Sequence, residues 1–235
     1  MKSALHIPEP TPLDFGEEGI EVAVLDVTGL VDAESAAAHF LTADEHAECA
    51  RLQQPPRRLE WLGARICLKT MLLRRRWVDD PRDCEVVKDP RGRPRLARLT
   101  AIGPHVHYEC SLSHKDHLAC TGISSAPAVR LGVDIEKVSP RLSRLAAAFA
   151  HDRDVVLGER SSEERLAILW TLKEACSKVL GQGLAMSLLD VTCQEVAPGR
   201  HRVRTTEGLE LRARHLTYGT YVVALCVGPD RWEGS

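Results

Sequence analysis

Leu131-Gly-Val-Asp-Ile-Glu-Lys-Val138 and Trp170-Thr-Leu-Lys-Glu-Ala-Cys-Ser-Lys178 are the stretches from which the fold is read. The first alternates apolar and polar residues, the period of a strand. Successive strand side chains face opposite sides. Leu131, Val133 and Ile135 therefore point into a core, and Gly132, Asp134 and Glu136 point away from it. Gly132 leaves room beside two carboxylates. The second stretch has helical period. Leu172, Ala175, Cys176 and Val179 share an apolar face. Trp170, Glu174, Ser177 and Lys178 gather opposite it, with Lys173 at the edge. Glu174 and Lys178 are i,i+4 neighbours, the spacing of a surface ion pair. Gly181-Gln-Gly183 is a typical helix exit.

Outward from these stretches the same periods predict strands over 21–27, 106–112, 117–123, 130–138, 202–205, 209–215 and 218–227. Helices are predicted over 32–39, 44–52, 57–77, 142–150 and 162–180. Thr42 offers an N-cap with acidic residues behind it, and Pro55-Pro56 interrupts. Asp89-Pro-Arg-Gly-Arg-Pro94 is a turn by composition. Ser124-Ser-Ala-Pro127 is the candidate boundary, dividing the chain into 1–124 and 125–235. Strands and helices mix on both sides of it, so the class is α+β.

The chain has 235 residues, 44% hydrophobic and 27% charged, which suits a soluble globular protein of one large or two small domains. A net charge of −2 lacks the basic excess of a nucleic-acid binder. No apolar run reaches the ~18 residues of a membrane span, and 1–6 lack a signal-peptide core. A cytoplasmic location is expected. The eight cysteines include no CxxC pair and read as small buried hydrophobes.

Two carboxylates at i and i+2 on one strand face repel each other, and a hard divalent cation such as Mg²⁺ relieves that. A solvated polar face is the simpler account of these residues alone. Cys110-Ser-Leu-Ser-His-Lys115 places Ser111 and Ser113 on one face at a strand end, followed by His114, a set that suits phosphate. Lys88-Asp-Pro-Arg-Gly-Arg-Pro-Arg95 is a basic loop. Each is weak alone. His105-Val-His107 and His114-x-x-His117 leave open a zinc-dependent hydrolase, although no further ligand completes a zinc spacing.

Together and in chain order, Gly92-Arg93-Pro94, Ser113-His114, Gly132-Val-Asp-Ile-Glu136 and Trp170-x-x-Lys173-Glu174-Ala175-x-x-Lys178 resemble the 4′-phosphopantetheinyl transferases of the Sfp type. The resemblance runs from about residue 41 to about residue 226. It implies a pseudo-dimer of two similar α+β halves with the active site in the cleft between them. It implies a phosphotransferase that moves the phosphopantetheine arm of coenzyme A to a serine of an acyl- or peptidyl-carrier protein, as a monomer. It implies Mg²⁺ as cofactor, with Mn²⁺ able to substitute, at Asp134, Glu136 and Glu174. Glu174, Lys178 and His114 match catalytic positions. Arg51, Lys88, Arg93, Ser111, Ser113, His114, Lys173 and Lys178 match contacts to coenzyme A, and Arg65 and Lys69 match basic positions of the family's long helix. Three residues depart from the pattern: Arg93 for lysine, Lys115 for serine and Ser111 for asparagine. A relative that binds coenzyme A or a carrier without transfer is the alternative.

Overall fold

The element order follows from local signals that the sequence carries. β1 (Thr11–Leu13) and β2 (Ile20–Asp26) come first, then helices α1 (Ala33–Phe40), α2 (Ala43–Arg51) and α3 (Pro55–Arg74). A hairpin of β3 (Glu85–Lys88) and β4 (Pro94–Ala97) precedes β5 (Glu109–Lys115) and β6 (Leu118–Ser124). β7 (Val129–Lys137), α4 (Arg141–Leu145) and α5 (Ser162–Leu180) follow. β8 (Val191–Ala197), β9 (Arg200–Thr205), β10 (Glu210–Tyr218) and β11 (Tyr221–Pro229) complete the order. This computed structural model describes residues 6–97, 108–126, 129–183 and 186–229.

Caps set the helix starts. Thr42 and Ser161 each close a capping box, with Glu45 and Glu164 returning to the cap amide. Pro55 and Pro56 do not interrupt but occupy the first turn of α3, where a missing N–H costs nothing. α5 ends at Gly181 with φ +68°, and the amides of Gly181 and Gln182 return to the carbonyls of Lys178 and Ser177. The predicted turn at 89–94 is the β3–β4 hairpin turn: Asp89 Oδ1 accepts from the amides of Arg91 and Arg93. The sequence reading missed β1, β3, β4 and β8, and the expected helix over 142–150 is short, giving way to a 3₁₀ turn at Ala146–Ala148.

The strands form a sheet of order β1-β2-β6-β5, a second of order β7-β11-β10-β9-β8, and the small hairpin. Every strand of the first sheet precedes residue 125 and every strand of the second follows it. The same pairing recurs: β2 pairs with β6 and β6 with β5, while β7 pairs with β11 and β11 with β10, all antiparallel. Alternation sorts side chains into three cores. Ala23, Leu25 and Cys110 pack under α3 with Ile66, Leu68 and Leu72. Val222, Ala224 and Cys226 pack under α5 with Leu172, Ala175 and Val179. Between them, Val22 and Val24 of the first sheet meet Leu131, Val133, Ile135 and Val223 of the second. All eight cysteines are free and buried.

Each long helix is tied down by a buried lysine. Lys69 of α3 donates to Phe40 O at 2.8 Å and Glu45 Oε2 at 2.5 Å. Lys173 of α5 donates to Phe149 O at 2.6 Å and Asp154 Oδ2 at 2.8 Å. The two carboxylates repeat one another: each also accepts from a strand amide, Val86 for Glu45 and Cys193 for Asp154, and from a loop amide, Thr42 or His151. A buried charge without its partner is costly, so Lys173→Met should lower stability by about 3–5 kcal/mol. Urea denaturation measures this. A loss near zero would show that the clip does not hold α5.

Candidate functional site

Ser111, Ser113, Asp134 and Lys178 meet where β5 of the first sheet lies beside β7 of the second, with α5 across them. β7 is buried on both faces from Leu131 to Glu136, so its polar face is not a solvated one. Gly132 is small for a reason other than the one expected. A methyl there would overlap the Ala175 carbonyl oxygen and lie 3.1 Å from Lys178 Cβ, so glycine lets α5 sit directly on β7. Gly132→Ala should therefore lower the melting temperature. An unchanged temperature in a calorimetric scan would refute this close approach.

The seam between the sheets is stitched by the two serines. Ser111 Oγ accepts from Val133 N at 3.0 Å, and Ser113 Oγ donates to Asp134 Oδ1 at 2.7 Å. Lys178 reaches down from α5 and donates to Val133 O at 2.7 Å and Asp134 Oδ1 at 2.8 Å. The lysine's ion-pair partner is thus Asp134 rather than the i,i+4 neighbour Glu174. Glu136 accepts from Lys115 Nζ at 2.7 Å and from the Lys137 amide. Glu174 has its carboxyl pushed up, first by burial, then by the negative charge of Asp134, with Glu136 adding to it and Lys178 opposing. The three acids therefore feel one another. Their oxygens nevertheless do not crowd together: among the described residues, only Glu195, His201 and His215 bring one ligating atom each within 4.8 Å of the others.

His114 borders this group. Its Nε2 lies 2.7 Å from Arg57 Nη1 and its Nδ1 lies 3.2 Å from Glu60 Oε2, both partners on α3. That arrangement fits a neutral ring with Nδ1 donating and Nε2 accepting. Burial, then Arg57 and Lys178, holds its pKa down to about 4. Arg57 and Glu60 were not singled out from the sequence, because a charged pair on a helix looks like any solvated face. Lys115, noted only as a departure from the family pattern, is the direct partner of Glu136.

The other expected coenzyme A contacts are placed differently. Lys173 is fully buried and its ammonium is committed to Phe149 and Asp154, so the expectation that it touches a ligand is corrected: it positions α5. Lys69 is likewise fully buried, and Arg65 lies over the Trp61 ring, its pKa lowered to about 10 by burial. Arg93 is buried too. It pairs with Glu109 at 3.0 Å and abuts Gly181, just past the helix end that carries Lys178. Lys88 is exposed near Glu48 at 3.8 Å, and Arg51 is exposed at the end of α2. Neither shares a contact with Asp134 or Lys178. His114 and His117 do not converge on one point: His117 faces Asp26 and the Tyr221 ring. His105 and His107 lie outside the described residues.

His114, His201 and His215 are each held near a pKa of about 4, below the ordinary 6.5, in each case chiefly by burial. Between those values the unfolded chain binds more protons than the folded one, so stability falls as pH drops from 6.5 towards 4. NMR titration should find three imidazoles still neutral at pH 5.5. A His114 midpoint near 6.5 would refute the burial argument.

Residues 130–226, less than half of the chain, match the family model of the 4′-phosphopantetheinyl transferase superfamily. The matched stretch contains Asp134, Glu136, Glu174 and Lys178. A protein of Synechocystis sp., provisionally named a 4′-phosphopantetheinyl transferase, is 26% identical over 161 residues, 66% of this chain. The 4′-phosphopantetheinyl transferase Gsp of Aneurinibacillus migulanus is 29% identical over 83 residues, 34% of this chain. The alignments span 63% and 33% of those relatives, under two thirds of either.

Proposed function

We propose that this chain transfers the phosphopantetheine arm of coenzyme A to a serine of an acyl- or peptidyl-carrier protein, as an enzyme of the Sfp type. The observation that carries the reading is the meeting of Asp134, Glu136, Glu174 and Lys178 at the seam of β5, β7 and α5. The recurring strand order and the paired lysine clips support reading 1–124 and 125–235 as two copies of one α+β unit, with coenzyme A held in the cleft between them. One chain then supplies both halves, so a monomer suffices.

The acidic trio fits Mg²⁺ by its chemistry. All its donors are carboxylate oxygens, and Glu174, pushed up first by burial and then by the charge of Asp134, is a group whose ionised form a cation would favour. Mg²⁺ keeps several waters and needs only one or two carboxylates plus substrate phosphate, so spaced acids suit it. When bound, the ion would neutralise the diphosphate and draw charge off the transferring group.

The remaining steps belong to the chain's own groups. The carrier serine oxygen bonds to the β-phosphorus of coenzyme A, and the bond from that phosphorus to adenosine 3′,5′-bisphosphate breaks. The serine proton passes to the Glu174 carboxylate, acting as general base. Lys178 is held 2.7 Å from Val133 O and 2.8 Å from Asp134, positioned to stabilise negative charge on the phosphoryl oxygens. Ser113 orients Asp134, and Arg57, held against His114 Nε2, offers guanidinium donors to phosphate.

The test is to incubate the chain with coenzyme A, Mg²⁺ and a panel of apo carrier domains, then weigh each carrier by intact mass spectrometry. The expected result is a gain of one phosphopantetheine group that EDTA abolishes. Asp134→Ala should remove the gain, and Lys178→Ala should lower kcat by about 10²–10³-fold. No gain on any carrier while coenzyme A still binds would replace this reading with a binding protein that does not transfer.

A further inference from the structure

Away from the seam, the second sheet buries another group of titratable side chains. Glu195 stands on β8, His201 on β9 and His215 on β10, one from each of three neighbouring strands. Glu195 and His201 are direct partners in the register, and the His215 amide donates to Gly199 O in the β8–β9 turn at 3.0 Å. The three are 5%, 3% and 5% exposed. This is the described trio with one ligating atom each within 4.8 Å of the others.

The polar atoms of this group are only partly satisfied. The Glu195 carboxylate accepts from the amides of Leu157 and Gly199 and from Arg160 at 3.2 Å. His201 Nε2 and His215 Nδ1 lie 2.7 Å apart. His201 Nδ1 is buried and has no hydrogen-bond partner. Leaving such an atom unsatisfied costs about 1–3 kcal/mol. Of the three, His215 lines a cleft of about 240 Å³, together with Phe15, Gly16, Gly199 and Arg214.

We propose that Glu195, His201 and His215 form a binding site for a divalent transition-metal ion of the zinc class, separate from the acidic trio at the seam. Two imidazoles and one carboxylate are a ligand set that zinc takes and that Mg²⁺, which prefers oxygen alone, does not. Burial already holds both rings neutral, the form that ligates a metal. Two ligands on a tetrahedral zinc at about 2.0–2.1 Å stand about 3.4 Å apart, so binding replaces the ring-to-ring hydrogen bond and spreads the pair slightly. Arg160 opposes the added charge, and its side chain is 25% exposed, free to move outward. The ion would staple β8, β9 and β10 together. Through Glu195 it would also hold the Leu157–Arg160 segment that leads into α5. The site does not depend on the transfer reaction.

The experiment uses the full chain, stripped with EDTA and then dialysed against Zn²⁺ or Co²⁺. Metal analysis should find one equivalent of zinc retained, with a higher melting temperature than the stripped protein. His201→Gln should lose that equivalent, whereas Asp134→Ala, which alters only the seam, should keep it. The Co²⁺ form of the unmodified chain decides the case if His201→Gln fails to fold: its visible spectrum should show tetrahedral nitrogen and oxygen ligation. No retained zinc, zinc retained equally by a folded His201→Gln variant, or thiolate charge-transfer bands from the cysteines would each overturn the site.

Discussion

Lys173 carries a full charge where no water reaches it, and the placement of α5 follows from how that charge is satisfied. Its ammonium needs both the Phe149 carbonyl and the Asp154 carboxylate, and Asp154 in turn needs the Cys193 amide of β8. Desolvating an ion in a protein costs several kcal/mol. The helix can therefore neither slide nor rotate without breaking both bonds to that ion. Gly132 then allows the helix to settle on β7, and only at that distance does Lys178 span the gap to Asp134.

The same device stands under α3. Lys69, Phe40, Glu45 and Val86 repeat Lys173, Phe149, Asp154 and Cys193, down to the loop amide that each carboxylate also accepts. The likeness is one of geometry, since the clips differ in carboxylate type and in flanking sequence. It appears beside a strand order that also recurs. The two sheets differ at their far edges. The second extends through β9 and β8, which supply His201 and Glu195 to the buried cluster that His215 of β10 completes.

Where the two sheets meet, ordinary ladder bonding is replaced in part by side chains. Ser111 takes the Val133 amide, and Ser113 takes Asp134. The seam thus gathers acids from β7, a lysine and a carboxylate from α5, and an imidazole from β5. Lys115 pairs with Glu136 and Lys178 with Asp134, while burial, and then the charge of Asp134, raises the proton affinity of Glu174.

The sequence by itself determined what local periodicity and short-range chemistry can encode. Alternation placed Leu131, Val133 and Ile135 in a core, a capping residue marked the start of α2, and Gly181 marked the end of α5. It also brought forward Asp134, Glu136, Glu174, Lys178 and His114 as chemically distinctive residues in a recognisable order. Only the tertiary structure decided what each charge touches. Lys173 and Lys178 stand five residues apart on one helix and look alike in sequence, yet one is sealed inside the fold and the other reaches the seam. Pro55-Pro56 read as an interruption until the first turn of α3 formed on it. The partners of His114 come from α3, and the Glu195, His201 and His215 cluster comes from three strands. Such meetings depend on strand register and on how closely a helix can approach a sheet, and long-range packing sets both.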